Sequence, residues 1–261
     1  MNNLAKMAVQ AKKRLLRMHF ESQIGHLGGN LSALDALLCL HHQIMTPQDR
    51  FLLSKGHAAG ALYVTLWTMG ELDDADLSTF HQNGTHLAGH PMPYWTPGIP
   101  MATGSLGHGV SLAAGFALAK RFQNQPGEVY CLTSDGEWQE GANWEAVIFA
   151  CHQNLTRLTI LVDVNGWQGF GSTREVASME DLAGRFRAFG LSVQETDGHD
   201  MDSLFQAVTP HGKSRTAPRV VLLRTIKGKG VASMENRMES HYLPLDQASY
   251  TQAMADLDAL S

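Results

Sequence analysis

The chain has 261 residues, 44% hydrophobic and 17% charged, a composition that fits a folded protein with a large core and excludes a disordered, collagen-like or fibrous chain. Its 20 Lys and Arg residues against 25 Asp and Glu give a net charge of -5, which has the wrong sign for a dedicated nucleic-acid surface. The longest weakly polar run, 110–119, is far shorter than the about 20 residues that a bilayer-spanning helix needs.

The first 70 residues are expected to be mainly helical, because their apolar residues recur at helical spacing. Two glycine-containing breaks, 25–29 and 54–57, interrupt this pattern, and each places a histidine beside flexible backbone. A short strand candidate, Phe51–Ser54, leads into the second break. The three predicted helices are Leu4–Phe20, Leu31–Met45 and Ala58–Met69.

A long loop is predicted for residues 84–104, because the four prolines in this segment disfavour regular structure. Loops of this length are usually functional. The loop ends in the glycine-rich segment 104–109, which opens a helix of small residues that runs to about Phe122.

A strand–helix–strand unit follows, with strands at Val129–Thr133 and Leu158–Val164 and a helix at Trp138–Gln153. A unit of this length predicts two parallel strands joined by a right-handed crossover. Helices and strands continue to alternate, so we expect an α/β fold with a doubly wound, mostly parallel sheet flanked by helices, in a single domain over 1–261. The remaining predicted helices are Met179–Phe189, Met201–Val208 and Asp246–Leu260, and the remaining predicted strands are Leu191–Glu195 and Val220–Thr225.

The cysteines bear on the cellular location. Cys39, Cys131 and Cys151 are odd in number and form no Cys-x-x-Cys pair, so neither a disulfide framework nor a structural zinc site is indicated. The first 20 residues are basic and amphipathic, which does not resemble a secretory signal. The expected location is therefore the reducing cytoplasm.

Two consecutive predicted strands end in residues suited to a hard cation, Asp135 after the first and Asn165 after the second. Because ligands bind at the carboxyl ends of parallel strands, both side chains should meet at one edge of the sheet. A backbone carbonyl just after Asn165 and two phosphate oxygens could complete the shell of Mg²⁺ or Ca²⁺, which suits a diphosphate. The alternative is that Asp135-Gly136 and Asn165-Gly166 are only turns, since both dipeptides are strong turn formers.

These two sites resemble the signature of thiamine diphosphate enzymes, in which Gly-Asp-Gly follows one strand and an Asn follows the next. The wider pattern resembles transketolase in particular, with motifs in the family's order over residues 15–245. Ser134 stands where the signature has its first glycine, and Gly166 stands where the family usually has a second asparagine. The motifs that carry the resemblance are Ser134-Asp135-Gly136 with Asn165, Gly25-His26, Ser54-Lys55-Gly56-His57, Gly89-His90-Pro91, Gly104-Ser105-Leu106-Gly107-His108-Gly109, Thr196-Asp197-Gly198-His199-Asp200, Thr225-Ile226-Lys227-Gly228-Lys229-Gly230 and Ser240-His241.

The resemblance implies that the chain binds thiamine diphosphate together with Mg²⁺, or with Ca²⁺ or Mn²⁺ in its place. It implies metal binding by the side chains of Asp135 and Asn165 and by the carbonyl of Trp167. The other implied cofactor-binding residues are His57, Gly104, Ser105, Leu106, Gly107, Gly136, Glu137 and His241.

The resemblance also implies a catalytic role for His26, His57 and His90, which would line the channel where donor and acceptor sugars react. Three histidines suit that task, because a neutral imidazole both accepts and donates hydrogen bonds and can relay protons near pH 7. Weaker candidates, which we expect to shape the loops, are His108, His199 and Lys227.

The resemblance covers only the diphosphate-binding third of a full transketolase, so the domain that binds the pyrimidine ring and carries a catalytic Glu is missing. We therefore expect the N-terminal subunit of a split transketolase, a transferase that moves a two-carbon ketol unit from a ketose, expected to be phosphorylated, to an aldose. A second polypeptide would supply the missing domains, with active sites at subunit interfaces in an α2β2 heterotetramer. The chain is expected to be a natural subunit, not a truncation.

Two other functions remain open. The α subunit of a 2-oxoacid dehydrogenase has a related domain and also needs a partner, but it has no use for three sugar-facing histidines. A non-catalytic module that binds a partner is supported only by Ser134 and Gly166. The sequence does not determine the donor, the acceptor, their phosphorylation, the pathway or which divalent metal is used.

Overall fold

The computed structural model describes residues 2–93, 98–210 and 215–259. Within these residues one sheet of parallel strands organises the chain, and a two-stranded antiparallel hairpin lies outside it. The strands are β1 (Arg50–Leu53), β2 (Val129–Ser134), β3 (Leu158–Val164), β4 (Trp167–Gln168), β5 (Gly171–Ser172), β6 (Ser192–Asp197) and β7 (Arg219–Arg224).

The parallel sheet has five strands in the order β1-β2-β3-β7-β6, and β4 pairs with β5 in the hairpin. Helices connect the strands and cover the sheet. They are α1 (Asn2–Ser22), α2 (Leu27–Cys39), α3 (Ala59–Thr68), α4 (Asp74–Ser78), α5 (Gly109–Phe122), α6 (Gly141–His152), α7 (Thr173–Ala177), α8 (Leu182–Ala188), α9 (Met201–Val208), α10 (Glu239–Tyr242) and α11 (Gln247–Asp258).

The core consists of two apolar clusters, one on each face of the sheet, because side chains alternate between the faces along every strand. In β2, Tyr130 and Leu132 belong to the cluster shared with α1, α2 and α3. Val129 and Cys131 belong to the opposite cluster, which includes residues of α5, α6 and α8. Both faces are therefore covered by helices, and the predicted α/β class with a doubly wound parallel sheet is confirmed.

Several element boundaries differ from the sequence prediction for local reasons. The helix predicted at Leu31–Met45 begins at Leu27, and its last turn, Leu40–Ile44, is a π-helix. The helix predicted at Met179–Phe189 begins only at Leu182, because the side chain of Asp181 caps it by accepting a hydrogen bond from the Gly184 N–H at 2.8 Å.

The helix predicted at Trp138–Gln153 is divided into a 3₁₀ turn, Gly136–Gln139, and α6. Glu140 separates the two parts with an extended backbone. The tail helix ends at Asp258, and the predicted terminus Leu260 lies outside the described residues.

The carboxyl ends of β1, β2, β3 and β7 all point to the same edge of the sheet, because the strands are parallel. Ser54-Lys55 follows β1, Asp135 follows β2 and Asn165 follows β3. The edge is the position where parallel sheets bind ligands. Among the described helices, none has the length and apolar character needed to cross a membrane.

Candidate active site

A cavity of about 390 Å³ opens at this edge of the sheet. It lies between the strand ends, the N-terminal end of α2, the loop that precedes α5 and the β4–β5 hairpin. Most of the site residues implied by the resemblance line this cavity. They are His26, His57, His90, Gly104, Leu106, Gly136, Asn165, Trp167 and His241.

Four of the implied residues do not line the cavity: Ser105, Gly107, Asp135 and Glu137. Gly107 and Glu137 are hydrogen-bonded to each other behind it, from the Gly107 N–H to Glu137 Oε1 at 2.9 Å. Asp135 lies under the two loop tips, where it is 2% exposed. Glu137 can therefore influence a bound molecule through the Gly107 backbone that it holds, and Asp135 stands between Ser134 and Gly136, which both line the cavity.

The loop tips after β2 and β3 meet, as the parallel pairing predicts. Asp135 Oδ2 accepts a hydrogen bond from the Gly166 N–H at 2.7 Å, and Asp135 Oδ1 accepts one from the Gly136 N–H at 2.8 Å. Asn165 Oδ1 accepts a hydrogen bond from the Trp167 N–H at 3.0 Å. One carboxylate thus ties the two tips together, next to the amide of Asn165.

The environment of Asp135 fits a nearby cation. Burial, followed by the charge of Asp163, raises the pKa of Asp135 to about 6, so its carboxylate is held ionised at neutral pH against an unfavourable environment. Asp135, Asn165 and a backbone carbonyl are oxygen donors, which Mg²⁺, Ca²⁺ and Mn²⁺ prefer. No group of three or more His, Cys, Asp or Glu residues suited to a metal occurs in the described ranges. An ion here would therefore depend on oxygens of a bound molecule as well.

A cluster of histidines forms the opposite wall of the cavity. The ring centroid of His26 is 5.7 Å from that of His57, 6.4 Å from that of His90 and 5.1 Å from that of His241. Burial lowers the pKa of His26 and of His90, lowers that of His57 strongly, and lowers that of His241 to about 3. All four imidazoles are thus neutral near pH 7, which leaves each with one donor and one acceptor nitrogen.

His26 has an unusual backbone and a buried polar atom without a partner among the described residues. It occupies the left-handed region, with φ 65°, at the residue before α2, and its N–H donates to the carbonyl of His241 at 2.7 Å. Its Nδ1 is buried, and among the described residues it has no hydrogen-bond partner. A buried nitrogen without a partner carries a desolvation cost that the packing around it has to offset.

Lys227 fixes the tautomer of His241. Lys227 Nζ lies 2.8 Å from His241 Nδ1, and because an ammonium only donates, Nδ1 accepts and the ring proton is on Nε2. Burial, followed by the charge of Lys55, lowers the pKa of Lys227 to about 8, which still leaves this lysine mainly protonated at pH 7. A buried cation on the cavity wall fits an anionic ligand such as a diphosphate.

A second buried lysine, Lys55, pairs with Asp163 beneath the cavity, and neither side chain has exposed surface. Asp163 Oδ2 also accepts from Ser32 Oγ at 2.6 Å and from Asn165 Nδ2 at 3.2 Å, and Oδ1 accepts from Thr225 Oγ1. The hydrogen bond from Asn165 Nδ2 orients the amide group, because it turns Nδ2 toward Asp163 and therefore turns Oδ1 away from Asp163. Asp163 therefore helps to set the direction of the candidate metal ligand.

Glu137 connects three loops of the site. Its Oε1 accepts hydrogen bonds from Ser54 Oγ and from the Gly107 N–H, and its Oε2 accepts one from the Ser134 N–H at 3.3 Å. Gly107 has a positive φ of 87°, which favours glycine. The buried carboxylate thus holds the segment 104–109 against the ends of β1 and β2, and burial raises its pKa.

Sequence reasoning gives no role in this site to Lys55 or Asp163, and it expects Lys227 only to shape a loop. Both lysines lie inside motifs that carry the resemblance, and each is followed directly by a glycine. Those glycines are the sequence signal that could have pointed to a role of the lysines in the site. Asp163 is a single charged residue in an apolar strand, a pattern that indicates a buried charge pair. Other lining residues outside the implied set are Ser134, Gln139, Glu140, Gln168, Gly169, Phe170, Val176 and Tyr242.

His199, a weaker candidate, lies outside the cavity lining. Its Nε2 accepts from the Ile226 N–H at 2.9 Å, so Nδ1 carries the proton and donates to Asp35 Oδ2 at 2.8 Å. It thus holds the loop that carries Lys227. His108, another weaker candidate, is the residue before α5 and makes no side-chain cap.

Comparisons with known proteins agree with this geometry. Residues 9–258 match the family model described as transketolase, thiamine diphosphate binding domain. A 6-deoxy-6-sulfo-D-fructose transketolase subunit of Clostridium sp. (strain MSTE9) is 38% identical over 244 residues, which are 90% of this chain and 89% of that protein. An apulose-4-phosphate transketolase subunit of Phocaeicola vulgatus is 34% identical over 94% of this chain and 90% of that protein.

Solved transketolases have the same fold. The transketolase of Campylobacter jejuni superposes with a TM-score of 0.90 at 30% identity, covering 99% of this chain and 43% of that chain. This chain therefore spans less than half of the solved transketolases that it matches, but nearly all of the curated subunits.

These matches test the resemblance read from the motifs. The expected transferase class, the thiamine diphosphate cofactor and the likeness to the N-terminal subunit of a split transketolase are confirmed. Both the fold and the matched residues place the chain in one family. The chain belongs to the transketolase family, in which it corresponds to the thiamine diphosphate-binding domain.

Proposed function

We propose that this chain works with a second polypeptide as a transketolase that transfers a two-carbon ketol unit from a ketose to an aldose. The observation that carries the proposal is the cavity at the sheet edge, which is lined both by the loop tips after β2 and β3 and by a cluster of neutral histidines. The names of the curated relatives, which are transketolase subunits, support it. Thiamine diphosphate, when bound, supplies the electron sink for breaking and forming the carbon–carbon bond.

Asp135 and Asn165, with the carbonyl of Trp167, would hold the divalent metal, for which Mg²⁺ is our choice. The contact of Asp135 with the Gly166 N–H supports this assignment, since it fixes both loop tips in one place. His57, His241 and the segment 104–107 would hold the cofactor, together with Gly136. Glu137 would act behind them, because it anchors the Gly107 N–H.

His26, His57 and His90 would orient the sugar hydroxyls and move protons between oxygen atoms. Their neutral state supports this role, because each ring can donate from one nitrogen and accept at the other. Burial of the rings also strengthens their hydrogen bonds to developing charge.

We also propose the partner subunit, the domain organisation and the cellular location. The second polypeptide would supply the pyrimidine-binding domain and its catalytic Glu, in an α2β2 heterotetramer with active sites at the interfaces. The chain would form one domain over 1–261, supported by two apolar clusters on one sheet. A cytoplasmic location is supported by the free thiols of Cys39, Cys131 and Cys151. A phosphorylated donor sugar remains our expectation.

The metal assignment is tested by titration calorimetry of thiamine diphosphate and Mg²⁺ with the two-subunit enzyme. Asp135→Ala and Asn165→Ala are each expected to weaken cofactor uptake, the former by at least about 2 kcal/mol, since a buried ligand charge and its ion are lost together. Asp202→Ala, on the exposed first turn of α9, is the matched control and should leave uptake unchanged. Unchanged affinity in Asp135→Ala contradicts the metal assignment.

The reaction is tested with the reconstituted pair and a panel of ketose donors and aldose acceptors. Exchange of a ketol unit supports the proposal. Release of CO₂ from a 2-oxo acid without ketol exchange would instead identify a 2-oxoacid dehydrogenase-type enzyme. Absence of cofactor uptake in the complete pair would identify a non-catalytic module.

A further inference from the structure

Tyr242 lies among the histidines of the cavity. Its ring centroid is 4.5 Å from that of His241 and 5.7 Å from that of His26, with interplanar angles of 67° and 61°. Edge-to-face packing of this kind holds aromatic rings in defined positions. The side chain lines the cavity and stays half exposed, at 50%. Its ring therefore takes up part of the cavity beside the histidines.

Two glycines allow close packing against the two ends of Tyr242, Gly25 at its backbone and Gly169 at its hydroxyl. A Cβ added at Gly25 would lie 2.6 Å from the carbonyl carbon of Tyr242, so the backbone there is in close contact with the turn before His26. A Cβ added at Gly169 would lie 3.0 Å from Cζ of Tyr242 and would overlap its hydroxyl oxygen. The tyrosine thus spans the cavity from the turn at Gly25 to the tip of the β4–β5 hairpin.

We propose that Tyr242 is a specificity-determining residue that limits the width of the sugar channel beside His26. This inference rests on the proposed function. Substrates must reach the histidine wall through the gap that the tyrosine ring leaves, so bulky acceptor aldehydes are disfavoured relative to small ones. The ring, and not the hydroxyl, sets this width.

The test compares kcat/KM of the two-subunit enzyme for an aromatic aldehyde and for glycolaldehyde as acceptors, with one fixed ketose donor. Tyr242→Ala is expected to raise the ratio of the two values at least about tenfold, because steric discrimination in a pocket is typically worth a factor of about 10 to 200. Tyr242→Phe keeps the ring and should leave the ratio within about twofold, well below that steric range.

Gly169→Ala provides an independent test with the tyrosine still present. Gly169 does not have a positive φ, so alanine fits the backbone, and the added methyl group displaces the Tyr242 hydroxyl. The ratio of kcat/KM for the aromatic aldehyde to that for glycolaldehyde should again differ from the ratio of the unaltered enzyme. Gly115→Ala in α5 is the matched control, because its added methyl group has no neighbour within 4 Å among the described residues. Its acceptor ratio should equal that of the unaltered enzyme.

A second readout does not depend on turnover. Carbethoxylation of His26 by diethyl pyrocarbonate, followed by mass spectrometry of the chain, should be faster in Tyr242→Ala than in the unaltered protein. An active Tyr242→Ala enzyme whose acceptor ratio and His26 reactivity are both unchanged overturns the inference. Absence of ketol transfer in the unaltered pair would instead overturn the proposed function, and the labelling of His26 still reports whether Tyr242 restricts access. If Tyr242→Ala fails to fold, Tyr242→Leu, which also removes the aromatic ring, takes its place in both measurements.

Discussion

Removing one member of the buried pair of Lys55 and Asp163 should lower the free energy of unfolding, and the loss should be larger for Asp163 than for Lys55. Asp163→Asn removes the negative charge that pairs with the ammonium of Lys55 and leaves it only neutral acceptors among the described residues, the new amide oxygen and the Gly29 carbonyl at 3.0 Å. Neither side chain has exposed surface, so water cannot compensate. We expect a loss of about 3–5 kcal/mol in the free energy of unfolding, as for other buried charges that lose a partner.

Lys55→Met should cost less, about 2–3 kcal/mol, because hydrogen bonds to a charged group are worth about 1.5–3 kcal/mol each and Asp163 keeps several. The donors that remain are Ser32 Oγ, Thr225 Oγ1 and Asn165 Nδ2. The double variant contains no buried charge at this place and should lose less than the sum of the single variants.

The assay is urea unfolding of the purified chain, followed by circular dichroism and tryptophan fluorescence. The exposed pair Arg174 and Glu180, 82% and 69% exposed, supplies matched controls, since Arg174→Met and Glu180→Gln should change stability by no more than about 0.5 kcal/mol. Comparable m-values would show that the same surface unfolds in each variant. Equal losses for Asp163→Asn and Lys55→Met, or a loss below about 1 kcal/mol for the former, would refute the reasoning.

Two further predictions concern acid stability and the loop before α5. Burial lowers the pKa of His19 to about 4, so between about pH 6.5 and 4 the unfolded chain binds a proton that the folded chain does not. The free energy of unfolding therefore decreases as the pH is lowered through this window, by at most about 3.4 kcal/mol. His19→Gln should make the urea midpoint depend less steeply on pH within that window. An unchanged dependence would contradict the contribution of His19 to acid instability. Glu137→Ala should weaken thiamine diphosphate uptake at least about tenfold, or about 1.4 kcal/mol, because Gly107 and Ser54 lose their common acceptor. Calorimetry checks this against Glu145→Ala on the exposed side of α6, and equal affinities would mean that the loop does not need the carboxylate.

Much of the fold could be predicted from the sequence because local patterns and sheet topology agree. The apolar run Leu158–Val164 forms β3 over the predicted residues, and its pairing with β2 is parallel as the βαβ length requires. That pairing alone brings Asp135 to Gly166, since both follow neighbouring strand ends. The spacing of the motifs therefore carried information about three-dimensional proximity.

The partners of the buried charges could not be predicted, because each depends on strand order and on loops far apart in the chain. Lys55 and Asp163 are separated by 108 residues, and Ser54 and Glu137 by 83. The local pattern predicts a helix that starts directly after Glu137, whereas the first of these residues lie in a 3₁₀ turn next to the carboxylate that accepts from Ser54 and Gly107. Tertiary hydrogen bonds thus overrode local propensity at the site.

Two buried charges, Lys227 on the cavity wall and Asp135 under the loop tips, support a ligand that carries both signs. Lys227 is a buried cation whose hydrogen-bond partner among the described residues is the neutral ring of His241. Asp135 is a buried anion whose hydrogen-bond donors are the backbone N–H groups of Gly136 and Gly166. A diphosphate alone would satisfy Lys227 but would repel Asp135, and a divalent cation alone would do the reverse. A metal diphosphate places its anionic and cationic parts so that both buried groups gain an opposite charge, which is why loss of either group should weaken uptake of the two components together.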